Sequence, residues 1–286
     1  GSSSGSAAAV ADFQVPAALG TQTAGSIIRP ASFCGVVGYK PTYGLLPLTG
    51  VRPLSPSMDH MGVFARTVKD AGFLASIIGR RPSLKMPNLK NGWTPRIGFC
   101  RPHEWDCAEL ETQKLLIHTA NSFAIAGAKV IDITLPDNFS ELANAQITIM
   151  NYEVSFSGLY EVSNYRNQIS TKYLECFDSG SKILPEIHDL AVQKSAKAQA
   201  EFNHVIGECD VLLCPSAIGE APLGLLATGD PIFNRAWTLL GLPCINVPGL
   251  TGATGMPIGI QLVGRLGDDS TLLLAADWVQ AQLEKI

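Results

Sequence analysis

Two hydroxyl-bearing turns hold the residues whose types and spacing suit chemistry. The first, "GSSSGSAAAV", sets Ser2, Ser3, Ser4 and Ser6 among small residues, and the second, "TQTAGS", ends at Ser26. Ser2 and Ser26 are 24 residues apart, the length of a helix, a strand and two turns. The chain can therefore return beside its start and bring both hydroxyls to one end of a sheet. Acyl transfer uses such a pair. A serine hydroxyl is a weak nucleophile until a base lies within hydrogen-bond reach, and the tetrahedral intermediate needs backbone N–H groups aimed at its oxyanion. Ala24 and Gly25 are small enough for a carbonyl to approach the backbone closely. Taken alone, "TAGS" is more simply a turn, and a Gly/Ser-rich opening more simply a linker.

A histidine base has no support in the sequence. His60, His103, His118, His188 and His204 stand in no recognisable Ser-His-Asp context, and no GxSxG elbow surrounds Ser26.

The elements that must position these turns are legible further along. "TPRIGFCRP" reads as a strand, "DCAELETQKLLIHTANSFAIAGA" as a helix and "KVIDITLP" as a second strand, a βαβ unit that implies parallel pairing. From Asp137 to Gly207 the pattern is mostly helical, with the polar "FDSGSK" around Asp178 to Lys182 expected as a surface loop. "CDVLLCPSAI", "LPCINVPGL" and "MPIGIQLVGRL" are short apolar runs bounded by Gly and Pro, hence strands. Between the first two, "DPIFNRAWTLLG" predicts a helix with Asp230 as N-cap, Pro231 at N1 and Gly241 past its end. "DDSTLLLAADWVQAQLEKI" predicts a closing helix. The expected fold is α/β: one domain over residues 1–286, a mixed central sheet with helices on both faces.

Composition narrows the function. Lys and Arg number 21 against 25 Asp and Glu, a net charge of −4 without a basic block, which argues against a nucleic-acid surface. The seven cysteines (Cys34, Cys100, Cys107, Cys176, Cys209, Cys214 and Cys244) form no CxxC pair and no Cys/His cluster with zinc spacing. They read as reduced, mostly buried thiols of a cytoplasmic protein, and no metal or cofactor is expected. No apolar run matches a membrane span, and no charged n-region with an apolar h-region precedes a cleavage site in the residues read.

The stretch "GSSSGSAAAVADFQVPAALGTQTAGSIIRPASFCGVVGYKPTYG" resembles the signature of the amidase signature family of serine hydrolases. That signature runs Gly-Gly-Ser-Ser-Gly-Gly-Ser, then Gly-Gly-Ser-Ile-Arg, then Cys-Gly-x-x-Gly-x-Lys-Pro-Thr. The likeness continues through "SPSMDHMGVFARTVKDA", "DVLLCPSAIGEAP", "TGDPIFNRAWTLLGLPCINVP" and "GMPIGIQLVGR", leaving a variable helical middle. So long a match outweighs the linker reading of the opening.

The resemblance implies a Ser–cis-Ser–Lys triad that needs no cofactor. Ser26 matches the nucleophile that forms the acyl-enzyme. Ser2 matches the bridging serine, joined to its predecessor by a cis peptide bond, and Thr23, Ala24, Gly25 and Ser26 match the oxyanion-hole loop. Ala24 stands where the family usually has glycine. The family's catalytic lysine lies upstream of the bridging serine, and none of this chain's lysines occupies that position. Lys40 matches a structural Lys-Pro-Thr segment and Lys69 reads as a solvated helix residue, so the chain is expected to be an amino-terminally truncated member, inactive without its base. Arg29 either anchors a substrate carboxylate or serves as a structural ion-pair partner. Trp237 either lines the acyl pocket or sits in the core. Asp59 and His60 resemble a structural segment.

The expected function is hydrolysis of a small-molecule amide, with no nucleic-acid or membrane partner and with a homodimer left open. Two alternatives remain. One is a glutamine-hydrolysing subunit of a tRNA-dependent amidotransferase, whose second turn usually reads Asp-Thr-Gly-Gly-Ser where this chain has "TQTAGS". The other is a non-catalytic module that cradles an amide or anion on its small-residue loop.

Overall fold

The central strands Val37–Lys40, Val211–Pro215 and Pro257–Val263 are buried along nearly their whole length, and each face of the sheet receives its own apolar set. In the computed structural model, which describes residues 2–85 and 92–285, the strands are β1 (Ala17–Gln22), β2 (Val37–Lys40), β3 (His60–Ala65), β4 (Arg96–Cys100), β5 (Lys129–Ile133), β6 (Val211–Pro215), β7 (Cys244–Thr251) and β8 (Pro257–Val263). They form one sheet in the order β1-β3-β2-β7-β8-β6-β4-β5. β4 pairs in parallel with both β5 and β6, and the other pairs are antiparallel.

The helices are α1 (Ser4–Ala11), α2 (Ile28–Cys34), α3 (Val68–Ile78), α4 (Leu110–Ile125), α5 (Leu142–Ser157), α6 (Leu159–Tyr165), α7 (Thr171–Gly180), α8 (Pro185–Val205), α9 (Ile232–Leu239) and α10 (Asp269–Leu283). On β6, Val211 and Leu213 join a core with α3, α4 and α10, while Leu212 and Cys214 join a second core with α2, α8 and α9. The two-residue period of a strand makes this division. Each fully buried Leu, Ile or Phe contributes roughly 1.5–3 kcal/mol. The expected mixed sheet with helices on both faces is therefore observed, as is the parallel βαβ unit, β4–α4–β5.

Two local expectations are corrected. "FDSGSK" is not a loop through its length: α7 continues to Gly180, with Phe177 buried. A Cβ on Gly180 would come within 1.8 Å of the Asn151 carbonyl oxygen, so this glycine serves a close helix–helix contact. At α9 the cap position is Pro231, and Asp230 lies one residue outside. Gly241 does follow that helix, at φ +67°. Among the described residues, no helix is long and apolar enough to cross a membrane.

Candidate active site

Ser2 and Ser26 line one cavity of about 180 Å³, with Ser3, Thr21, Thr23 and Asp59 beside them and Val51, Arg52 and Leu54 closing it. One helix and one strand, α1 and β1, separate the two serines, as their spacing predicted. Ser3 ties the ends together: its Oγ donates to the Thr21 carbonyl at 3.3 Å and accepts from the Thr21 N–H at 3.2 Å. The approach is tight, because a Cβ on Gly20 would lie 2.5 Å from the Phe64 ring and 2.9 Å from Ser3 Oγ. Ser2 and Ser3 have φ of 57° and 48°, in the left-handed region where a side chain costs roughly 1–2 kcal/mol. The Gly1–Ser2 peptide lies outside the described residues, among which no peptide bond is cis.

The loop leading to Ser26 is held by its carbonyls. Thr23 O accepts from Gln146 Nε2 at 3.0 Å, Ala24 O from Thr238 Oγ1 at 2.6 Å, and Gly25 O from the Arg29 N–H at 3.0 Å. A trans peptide points its N–H opposite its C=O, so the N–H groups of Ala24, Gly25 and Ser26 face away from these anchors. None of the three has a hydrogen-bond acceptor among the described residues. Ala24 is not at positive φ, so alanine fits where the family usually has glycine. Gly25 cannot be enlarged: a Cβ would lie 2.4 Å from Asn234 Oδ1 and 2.6 Å from Pro231 Cβ.

Several residues that hold this loop escaped sequence reasoning. Gln22 is buried; its Oε1 accepts from the Ile27 and Ile28 N–H groups at 2.7 and 3.0 Å, and its Nε2 donates to Thr238 Oγ1 at 2.9 Å. It thereby satisfies two N–H groups that the start of α2 leaves open. Asp59, expected to be structural, stands on the cavity wall. Its carboxylate accepts from Thr23 Oγ1 at 2.5 Å, Leu54 N–H at 2.8 Å and Ser55 N–H at 3.0 Å. Burial raises its pKa in spite of those three donors.

Arg29 is the strongest electrostatic feature. It is 5% exposed, and its Nη2 donates to Ser2 Oγ at 2.6 Å and to Thr228 Oγ1 at 3.3 Å. Its Nε and Nη1 are buried without a partner. Desolvation pushes its pKa down to about 10, with Asp230 opposing and Arg235 adding to the shift. No carboxylate forms an ion pair with it among the described residues, so the structural ion-pair alternative has no partner. Arg29 is a buried cation with two open donors beside Ser2.

Other sequence candidates fall away from the cavity. Trp237 is 1% exposed and packs on Phe202 at a ring distance of 6.1 Å within the core beneath α9. The pocket-lining role considered for it is corrected: its side of α9 faces the sheet. Lys40 is fully buried on β2, where its Nζ donates to the Leu242 and Pro41 carbonyls, and Lys69 pairs with Asp277 at 3.7 Å. Among the described residues no lysine lines the cavity. A wider cavity of about 350 Å³ opens at the start of α10, but its buried carboxylate, Asp269, is taken up by Tyr39 Oη–H, Thr42 N–H and Thr42 Oγ–H at 2.6–2.9 Å.

This geometry can be set beside known proteins. The amidase family model matches residues 1–273. One component of the Rattus norvegicus mitochondrial glutamyl-tRNA(Gln) amidotransferase is 31% identical over 330 residues, covering 99% of this chain and 63% of that protein. The corresponding component of the Rickettsia bellii amidotransferase is 30% identical over 334 residues, covering 100% of this chain and 67% of that one. A crystal structure described as an amidase superposes with a TM-score of 0.88 at 29% identity, over 97% of this chain and 65% of that one. The chain thus spans about 63% of the length of the mammalian relatives it matches. By the match of the family model over most of its length, the chain belongs to the amidase family.

Proposed function

We propose that this protein hydrolyses a small carboxamide through an acyl-enzyme on Ser26, with Ser2 as the bridging hydroxyl. One observation carries this reading: three consecutive N–H groups, those of Ala24, Gly25 and Ser26, have no acceptor among the described residues, beside a serine that shares a cavity with a second serine. Ser26 Oγ adds to the carbonyl carbon while its proton passes through the Ser2 hydroxyl to a base. The N–H groups receive the charge that develops on the carbonyl oxygen. The C–N bond breaks as the amine takes the proton, and water then cleaves the ester to release the acid. The base is not among the groups lining the cavity in the described residues, and the family resemblance assigns it to a lysine upstream of Ser2. Arg29, donating to Ser2 Oγ, favours negative charge on that oxygen during the relay. Its unpartnered Nε and Nη1 leave positive charge for a substrate carboxylate to meet, each through a single hydrogen bond. The two atoms lie on different edges of the guanidinium, and the Nη2 between those edges is taken by Ser2 and Thr228.

The test is covalent labelling of the full protein with a fluorophosphonate, with the adduct located by peptide mass spectrometry. An adduct on Ser26, lost together with amide turnover in Ser26→Ala, is expected. Turnover that survives Ser26→Ala would overturn the assignment.

A second reading has its own support. The relatives above include components of glutamyl-tRNA(Gln) amidotransferases, and glutamine is an amide that also bears a carboxylate. Hydrolysis of glutamine only in the presence of added partner proteins would select this role, and hydrolysis of simple amides by the protein alone would select the free-standing amidase.

A further inference from the structure

The loop that would bind the oxyanion is held from outside its own segment by a side chain with no freedom to flip. Gln146 on α5 is fully buried. Its Oε1 accepts from Arg235 Nη1 on α9 at 2.6 Å, and its Nε2 donates to the Thr23 carbonyl at 3.0 Å. A guanidinium can only donate, so Arg235 dictates which end of the Gln146 amide carries the oxygen and turns the N–H₂ toward Thr23. Arg235 is itself half-buried, close to Asp230 and Cys176, and burial lowers its pKa. A charge beside the amide oxygen polarises the amide and strengthens the bond it donates.

We infer that Gln146 and Arg235 are a positioning pair for catalysis. The Thr23–Ala24 peptide is planar and trans, so a hydrogen bond that fixes the Thr23 C=O fixes the opposite direction of the Ala24 N–H. The pair touches neither substrate nor nucleophile and acts through that one peptide. It couples the helical middle of the chain, which supplies Gln146, to the signature loop that ends at Ser26. This inference rests on the acyl-enzyme reading of Ser26.

Two variants of the full protein test it. Gln146→Leu puts an apolar side chain of comparable bulk in place of the amide and loses both bonds. Gln146→Glu keeps the Arg235 contact but presents an unprotonated oxygen to the Thr23 carbonyl. Gln146→Leu is expected to lower kcat and the rate of fluorophosphonate labelling about 10- to 100-fold, the range for a misplaced catalytic group, with KM little changed. Gln146→Glu is expected to be equally slow above neutral pH and to recover as the pH falls and its carboxyl gains a proton to donate, a rise absent from the wild type. The amide ¹⁵N resonance of Ala24 is expected to move in both variants, a readout independent of turnover. Wild-type kcat, labelling rate and Ala24 resonance in both variants would overturn the pair's role. If Ser26→Ala keeps turnover while the Ala24 resonance still moves in Gln146→Leu, the hydrolytic reading fails and control of the peptide stands.

Discussion

Replacing Arg29 by methionine should make the protein more stable and less able to bind acids. The magnitude follows from the site. The guanidinium pKa is brought well down from its ordinary value to about 10, first by desolvation. At 1.36 kcal/mol per unit this corresponds to about 3 kcal/mol of unfavourable free energy for the cation in the folded state. The group is a base with a depressed folded-state pKa. Its penalty is therefore in full force at neutral pH and is relieved only as the pH rises above about 10 toward the ordinary guanidinium value. The bonds to Ser2 and Thr228 return part of it, roughly 1–2 kcal/mol together. Methionine keeps the apolar stem, so packing loss is small. The net expectation for Arg29→Met without ligand is a gain of about 1–2 kcal/mol.

The assay is urea unfolding at pH 7 of both proteins, with and without a saturating small dicarboxylate such as succinate. Wild type should gain stability from succinate and the variant should not, because a ligand that binds only the folded state stabilises it by mass action. Kinetics should agree: KM for a monoamide that carries a free carboxylate rises in the variant, while KM for a neutral amide does not. A variant less stable than wild type by more than about 2 kcal/mol would show that the guanidinium is a structural strut. A wild type indifferent to succinate would refute the carboxylate anchor.

Three further outcomes are expected. Gly25→Ala places a Cβ 2.4 Å from Asn234 Oδ1 and should cost about 1–3 kcal/mol by overpacking, with loss of fluorophosphonate labelling at Ser26; calorimetry and labelling check both. Thr238→Val removes the hydroxyl that donates to the Ala24 carbonyl and accepts from Gln22, leaving buried groups unpaired at about 1–3 kcal/mol; kcat should fall more than KM rises. His60 is buried near Lys40 and its pKa lies well below 6.5, chiefly through desolvation. Its contribution to stability is therefore present above pH 6.5 and lost as the pH falls below that value, by up to about 1.4 kcal/mol per pH unit. Denaturant melts of His60→Phe between pH 7 and 5 should show a shallower slope than the wild type.

The parts of the fold legible in the sequence are those whose apolar period is clean. β4, α4 and β5 switch from period 2 to 3.6 and back, and β6, β7 and β8 are bounded by Gly and Pro. β2 and β3 were not legible as strands. Val37–Lys40 is four residues, buried throughout, so it shows no alternation, and His60–Ala65 begins with a buried histidine. The α9 start was misplaced by one residue because Asp230 looks like a cap, while its charge instead acts on Arg29 and Arg235. Arg29 was legible as a choice between ion pair and anchor, and only its three-dimensional surroundings show that no carboxylate among the described residues pairs with it.

The anchors of the candidate oxyanion loop are less legible for a physical reason. In a strand or helix each N–H satisfies another residue's C=O, and the local pattern reports both. A loop that must keep several N–H groups free for a substrate oxygen cannot satisfy its carbonyls by such a ladder. Buried carbonyls still need donors, so the donors must come largely from side chains elsewhere in the chain. Here two of the three carbonyls are met by Gln146, 123 residues from Thr23, and Thr238, 214 residues from Ala24, while Gly25 O is met locally by the Arg29 N–H. A glutamine or threonine on a helix carries no periodic mark that distinguishes it from a surface residue. The proposed nucleophile and its turn are therefore local in sequence, while side chains that keep the turn open are distant, as the free N–H groups require.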